Sequence, residues 1–129
     1  MINAKEIYAN LLSDARITAV VSGDNILNAY PASVENFPCI VFIDENQSDA
    51  EYADNKHTAD NCSVTIHIFS KKLDEYVTTS EIGVIIANVL NEDLWHCSMN
   101  REITDPNPDV EHRVMDFSKS IYNELNINS

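Results

Sequence analysis

Few residues of this 129-residue chain have types and spacings that could support chemistry. Its two glycines, Gly23 and Gly83, cannot build a glycine-rich phosphate loop, and no serine stands in a GxSxG nucleophile motif. His96 and Cys97 are adjacent, but neighbours in a strand point to opposite faces and are poorly placed to share a metal. None of the histidines has a partner at i+4, so we expect ordinary surface or half-buried side chains at His57, His67, His96 and His112.

The segment that follows residue 104 begins like a calcium-binding loop but does not continue like one. Asp105, Asn107 and Asp109 match the D-x-N-x-D opening of such a loop. The sixth position needs glycine for a sharp turn and is Val110, and the twelfth, usually glutamate, is Asp116 in a predicted strand. The segment 105–109 is better explained as a turn.

The paired acids and the cysteines also have structural explanations. Asp44–Glu45 and Glu92–Asp93 adjoin the ends of predicted elements, and no pattern places them around a pocket. The three cysteines lack CxxC spacing, and each lies in a strand-like run where a free thiol packs as a small apolar group: Cys39, Cys62 and Cys97. We therefore predict that the protein is not an enzyme and that it binds no metal and no cofactor.

Net charge limits the partners that the protein can bind. Eight Lys and Arg against 21 Asp and Glu give a formal net charge of −13. Such a surface repels phosphate backbones, so we expect no tight nucleic-acid binding. No apolar run approaches the roughly 20 residues that span a bilayer, and residues 1–12 lack the apolar stretch of a signal peptide. We expect a soluble protein with one domain over residues 1–129 and no membrane contact.

Apolar periodicity predicts two main helices. The first begins at a capping box formed by Asn3 and Glu6, and residues 13–14 either end it or cap a short second helix over 17–21. Gly23 is expected to close that short helix with a positive φ.

The later helix is predicted to begin at Asp74 as its cap. Gly83 and Ala87 are small residues four apart, which lets a helix lie close to a sheet. Beside them runs one apolar stripe of Ile82, Ile85, Ile86, Val89 and Leu90.

Strands are predicted at residues 25–30, 39–43, 62–69, 95–104 and 110–122. Polar and apolar residues alternate along 62–69, which we expect to pair antiparallel with 39–43, a strand that follows Pro38. Together these elements predict an α+β fold, a small mainly antiparallel sheet with two main helices packed on one face.

A long acidic loop is predicted at residues 44–60, between two strands that a hairpin of two to five residues could join. The loop contains six acids, one lysine and one aromatic residue, Tyr52. A flexible tail is predicted at 123–129.

The order of these features resembles the tail completion (tail-to-head joining) proteins of long-tailed bacteriophages and prophages. The resemblance spans residues 3–122 and is carried by ITAVVSGDNILNAYP, FPCIVF, a polar insertion, VTIHIFSKK and SEIGVIIANVL. Two positions depart from the family pattern. Cys39 stands where an aromatic residue is more usual, and Phe69 stands where a tryptophan often precedes the serine.

The resemblance implies a virion structural protein without catalytic residues. It implies a minor tail subunit that forms a ring, typically sixfold, at the head-proximal end of the tail and contacts tail-tube and head-connector proteins. The protein would be synthesised in the cytoplasm of the host bacterium. Tail terminator proteins share a related size and fold, so completing and terminating the tail both stay open.

A ring subunit needs extensions that reach its neighbour, which gives the acidic loop an interpretation. The predicted interface residues are Glu45, Asp49, Glu51, Tyr52, Asp54 and Lys56. Two alternatives stay open for the loop: a solvated insertion without a role, or an acidic lining of the ring's lumen that DNA passes without adhering. For the whole protein, the alternative is an acidic monomeric inhibitor or adaptor that binds a basic partner protein.

Overall fold

The computed structural model describes residues 4–28, 36–44 and 59–122. It confirms the α+β class, with a five-stranded, mostly antiparallel sheet and three helices. The helices are α1 (Ala4–Leu12), α2 (Ala15–Thr18) and α3 (Thr79–Glu92). The strands are β1 (Ile26–Leu27), β2 (Cys39–Asp44), β3 (Ala59–Lys71), β4 (His96–Ile103) and β5 (Val110–Tyr122).

The strands are ordered β1-β2-β3-β5-β4 across the sheet. β1 runs parallel to β2, and every other pairing is antiparallel. The predicted hairpin partners do pair, from Cys39 opposite Phe69 to Asp44 opposite Val64. β3 and β5 pair over their full 13 residues, so they form the long centre of the sheet. β4, with eight residues, and β1, with two, are its edges.

One face of the sheet is covered by all three helices. Alternate residues of β2, β3 and β5 point to this face, as the period of a strand requires. On β5 this face also carries the charged residues Glu111, Arg113 and Lys119, whereas the residues in the middle of the sheet are apolar. They pack against apolar residues of the helices, and Trp95 joins them at 2% exposure. The largest of these buried side chains include Tyr8, Ile17, Ile66, Ile86 and Phe117.

The second face of the sheet carries a smaller buried apolar cluster. Its members lie on β2, at the end of β3 and at the start of β5: Cys39, Val41, Phe69 and Val110. Leu27, Phe37 and Ile43 are half-buried against it. Cys39 and Cys62 are buried, outside any disulfide, and Cys97 is half-buried, so the predicted packing role holds fully for two of the three.

α3 lies close to the sheet because Gly83 has no side chain. A Cβ at this position would come within 3.3 Å of Arg113 Cδ and of Met115 Sδ, both on β5. The predicted stripe is confirmed, since Ile82, Ile86, Val89 and Leu90 are buried and Ile85 is half-buried.

Two predicted helix ends were wrong. α3 is capped by Thr78 and not by Asp74, because the Thr78 side chain bonds to the first turn of the helix. The Thr78 Oγ1 accepts a hydrogen bond from the Glu81 N–H at 3.1 Å and donates one to Glu81 Oε1 at 3.0 Å. Gly23 begins a short 3₁₀ turn, Gly23–Asn25, and has no positive φ. The left-handed residue is Leu94, just after α3, with φ 67°.

The residues at both ends of the predicted loop, 44–60, belong to strands. Asp44 is the last residue of β2, and Ala59 and Asp60 already pair with β5, which extends β3 beyond the predicted start at Cys62. The remaining residues of that loop, 45–58, and the tail 123–129 lie outside the described residues. The first predicted strand, 25–30, is described only to residue 28 and pairs over Ile26–Leu27.

Candidate functional site

The predicted interface residues all lie outside the described part of the chain: Glu45, Asp49, Glu51, Tyr52, Asp54 and Lys56. The structure does show where their segment is attached. Asp44 ends β2 opposite Val64, and Ala59 begins β3 opposite Tyr122. Both attachment points therefore lie at the end of the sheet where β5 finishes.

The attachment end of the sheet is tied to α1 by an aromatic contact. The Tyr8 hydroxyl donates a hydrogen bond to the Ser63 carbonyl oxygen at 3.0 Å. The Tyr8 ring packs at a tilt against Trp95, with centroids 5.3 Å apart, and edge-on to Phe42. Burial, together with the negative charge of Asp44, raises the pKa of Tyr8 well above its usual range. The acidic segment is therefore attached beside a packed aromatic cluster that contains a neutral tyrosine.

The predicted acidic pair Glu92–Asp93 serves to join elements. Arg16 Nη1 lies 2.7 Å from Glu92 Oε2, and Arg16 Nε lies 2.9 Å from Asp14 Oδ1, which links α2 to the end of α3. Hydrogen bonds from Arg16 lower the pKa of Asp14 to about 2 and also lower the pKa of Glu92. Asp93 accepts hydrogen bonds from Trp95 Nε1 at 3.2 Å and from Lys119 Nζ at 3.3 Å. These acids therefore form contacts that join neighbouring elements of the fold.

The turn that resembles a calcium loop is closed by its own side chains. Asp105 Oδ2 accepts from the Asn107 N–H, and Asn107 Oδ1 accepts from the Asp109 N–H, both at 2.9 Å. These are side-chain turns of the kind that Asp and Asn favour. Among the described residues, no three His, Cys, Asp or Glu side chains are placed to hold a metal ion.

Two histidines that seemed isolated in the sequence meet on the second face of the sheet. His67 Nδ1 lies 3.0 Å from His112 Nε2, so one ring donates an N–H to the other. Phe69 stacks on His112 with centroids 4.2 Å apart, and Asp105 Oδ1 lies 3.6 Å from His112 Nδ1. Burial lowers the pKa of both imidazoles.

The expectation of a surface or half-buried side chain is wrong for His112, which is buried, whereas His67 is half-buried as expected. They come from different strands, and the register that places His112 opposite Phe69 and His67 opposite Val114 makes them diagonal neighbours. A search for partners at helical or metal-ligand spacing cannot find such a pair. A correct pairing of β3 with β5 would have found it. His96 is exposed as expected, and His57 lies outside the described residues.

Side-chain cations divide into two groups within residues 6–28, 36–44 and 62–120. Arg16 and Lys119 form ion pairs, Arg113 donates hydrogen bonds to Thr79 and Asn100, and Lys71 lies 4.9 Å from the centre of the Phe37 ring. Lys72 and Arg101 are exposed and make no ion pair or side-chain hydrogen bond. They line the same open groove.

Two exposed features of the described surface lie side by side, an edge strand and a leucine. β4 is an edge strand of eight residues, and no described strand pairs with its outer side. Leu94, immediately before it, is 79% exposed and has a left-handed backbone conformation. Within the described segments, no helix is long and apolar enough to cross a membrane.

Comparison with known proteins matches this fold to a virion component. A chain in the virion of a native gene transfer agent (GTA) particle has the same fold, with a TM-score of 0.58. The alignment has 12% sequence identity and covers 91% of this chain and 92% of that chain. No curated protein matches the sequence.

The family model described as "Tail completion protein gp17" matches residues 5–122 of the sequence. That range contains every described helix and strand except the first residue of α1. The family resemblance expected from the sequence is thereby confirmed. This chain belongs to the tail completion protein gp17 family, whose members are structural proteins of the bacteriophage tail.

Proposed function

We propose that this protein is a minor tail subunit that assembles into a ring at the head-proximal end of the tail, where it completes or terminates the tail. The observation that carries the proposal is the family match over residues 5–122. The ring would contact copies of itself, tail-tube proteins and the head connector. Its location would be the virion, at the junction of head and tail.

Features of the described surface support assembly in a ring. A ring forms when one surface of a subunit binds a different surface of the next, and the rotation between them closes. This sheet has two unlike edges, a β4 of eight residues and a β1 of two. Exposed Leu94 adds an apolar contact point beside β4. Unlike edges favour head-to-tail contacts over a symmetric dimer.

The alternative of an acidic adaptor is less well supported. An adaptor that imitates nucleic acid needs its acids free and gathered on one face. Here Asp14, Glu92, Asp93 and Asp105 are held by side chains of the same chain, on different elements. A monomer that bound one basic protein tightly and in a salt-sensitive manner would instead favour the adaptor.

Light scattering after size exclusion, over a concentration series, tests self-assembly. We expect a closed oligomer at high concentration or on purified tails, visible as rings in negative stain. Deleting residues 47–57 should leave a folded monomer and abolish assembly. If the deletion variant assembles like the original chain, the acidic segment is not part of the interface.

The position in the virion needs a separate test. Tails made without this protein should fail to join heads, and adding the purified protein should restore joining. Gold labelling of a tagged chain should then mark the head-proximal end. Labelling along the tail or at its far end would contradict the proposed position.

A further inference from the structure

We propose that the groove beside Lys72 and Arg101 receives the acidic segment 45–58 of a neighbouring copy of this chain. The inference rests on the proposed self-assembly and names the surfaces that would meet.

The groove lies at the end of the sheet where β3 and β4 finish and β5 begins. Lys72 follows the last residue of β3, and Arg101 lies near the end of β4. The groove is open, has a volume of about 700 Å³, and includes apolar surface from Ile103 and Pro108. It is shaped to accept a chain segment and has too little apolar lining to suit a buried hydrophobic ligand.

The charges that line the groove leave two cations available. Asp105 also lines it, but this carboxylate accepts from the Asn107 N–H at 2.9 Å and lies 3.6 Å from His112. The fourth charged residue, Glu102, is opposite Arg113 of β5 and so belongs to the helix face of the sheet, whereas its neighbour Arg101 belongs to the second face. Lys72 and Arg101 make no ion pair within the described residues and are exposed.

The segment 45–58 has the complementary charge. It contains four acids (Glu45, Asp49, Glu51, Asp54) and one lysine, Lys56, a formal net charge of 1 − 4 = −3. In a chain with a net charge of −13, copies repel one another unless acidic surface meets a cation. The groove offers the two described cations that the fold itself leaves without a partner.

The backbone of the acidic segment cannot follow β3 to the Lys72 end of the groove of its own chain. Asp44 is opposite Val64, seven residues before Lys71, and Ala59 is twelve residues before it. At about 3.3 Å per residue, a backbone path from Asp44 to Lys71 and back to Ala59 needs about 63 Å. The fifteen peptide steps from Asp44 to Ala59 supply about 51 Å when fully extended. A neighbouring copy can present the segment to Lys72 and Arg101 together without this limit.

The two surfaces lie at opposite ends of the sheet, which fixes the kind of assembly. Each copy would give its acidic segment to one neighbour and receive another in its groove. Such a contact joins unlike surfaces, and it closes into a ring when the rotation between copies allows it.

Zero-length carbodiimide cross-linking tests the contact directly, because it joins a lysine amine to a touching carboxylate. Assembled protein would be prepared from equal amounts of isotopically heavy and light chains and analysed by mass spectrometry. We expect mixed heavy–light cross-links between Lys72 and Asp49, Glu51 or Asp54. Rings in which Lys72 forms no cross-link to 45–58 of another chain would overturn the inference and leave the proposed ring intact.

A pair of neutralising variants provides the matched control. Lys72→Gln with Arg101→Gln should raise the midpoint concentration of assembly by about tenfold or more. Lys71→Gln with Arg16→Gln changes the net charge by the same amount at positions outside the groove. This pair should raise the midpoint concentration of assembly much less. Equal effects of the two pairs would overturn the inference. A chain that stays monomeric both alone and with tails would overturn the inference and the proposed ring together.

Discussion

The two faces of the sheet are built differently although they share the same strands. The face under the helices is apolar in the middle of β2, β3 and β5 and carries Glu111, Arg113 and Lys119 toward the two ends of β5. The second face mixes the apolar cluster of Cys39, Val41, Phe69 and Val110 with a histidine pair and a hydrogen bond from Thr65 Oγ1 to Asp116 Oδ1 at 2.8 Å. The first face is dominated by apolar burial, with polar contacts such as those of Arg113 and Lys119 around the apolar core, whereas the second places polar pairs between neighbouring strands.

Truncation of a core side chain should have the largest effect and should separate the two faces. Phe117 is fully buried under the helices, and Phe117→Ala should lower the free energy of unfolding by about 3–5 kcal/mol. Val114 lies three residues away on the second face and is 7% exposed. Val114→Ala should lower the free energy of unfolding by about 1–2 kcal/mol. Denaturant unfolding measures both. A loss at Val114 as large as that at Phe117 would mean that the second face contributes more per buried atom than the first.

The histidine pair should make stability depend on pH in a way that only the second face explains. Burial lowers the pKa of His67 and of His112, while Asp116 and Asp105 partly oppose this by raising the pKa of the nearer histidine. The folded state therefore binds fewer protons than the unfolded state. The stabilisation is complete above the ordinary histidine pKa of about 6.5 and is lost as the pH falls through the lowered pKa of each ring.

Unfolding followed at several pH values between 8 and 5.5 measures this dependence. The free energy of unfolding should fall with decreasing pH by up to about 1.4 kcal/mol per pH unit for each histidine. His112→Phe keeps an aromatic ring next to Phe69 and removes one titrating group, so its curve should be shallower. If the curve for this variant runs parallel to that of the original chain, His112 does not contribute to the pH dependence of the free energy of unfolding.

The contrast between the faces also explains what the sequence could predict. Residues 62–69 alternate with period two and α3 has a helical stripe, so element types, faces and fold class follow from local pattern. The pairing of β3 with β5 links residues about 50 positions apart, and the His67–His112 contact depends on that register. No local pattern carries such information. The family resemblance predicted the class of protein, and the predicted interface residues at 45–58 stay a prediction.

The N-terminal cap of α3, the helix that covers the centre of the first face, gives a smaller effect. Thr78→Ala removes the oxygen that accepts from the Glu81 N–H, and it should lower the free energy of unfolding by about 1 kcal/mol. Asp74→Ala, at the cap expected from the sequence, should change stability by less than about 0.5 kcal/mol, as for a surface substitution. Thermal or denaturant unfolding compares the two. A larger loss for Asp74→Ala would restore the original assignment of the cap.

The smallest effect is expected at the other end of α3, and it should have the opposite sign. Leu94 adopts φ 67°, which costs a residue with a Cβ about 1–2 kcal/mol and costs glycine little. Leu94→Gly should therefore raise the free energy of unfolding by about 0.5–1 kcal/mol once the greater backbone freedom of glycine is counted.

Leu73→Gly is the matched control for this substitution. Leu73 is also exposed, at 55%, but it has no positive φ to relieve, so glycine should lower stability there. If Leu94→Gly is stabilising, Leu94 lowers the stability of the isolated monomer. Its exposed side chain would then be assigned to contacts within the assembled tail. If Leu94→Gly is destabilising like Leu73→Gly, the side chain contributes to the folded monomer and needs no partner to explain it.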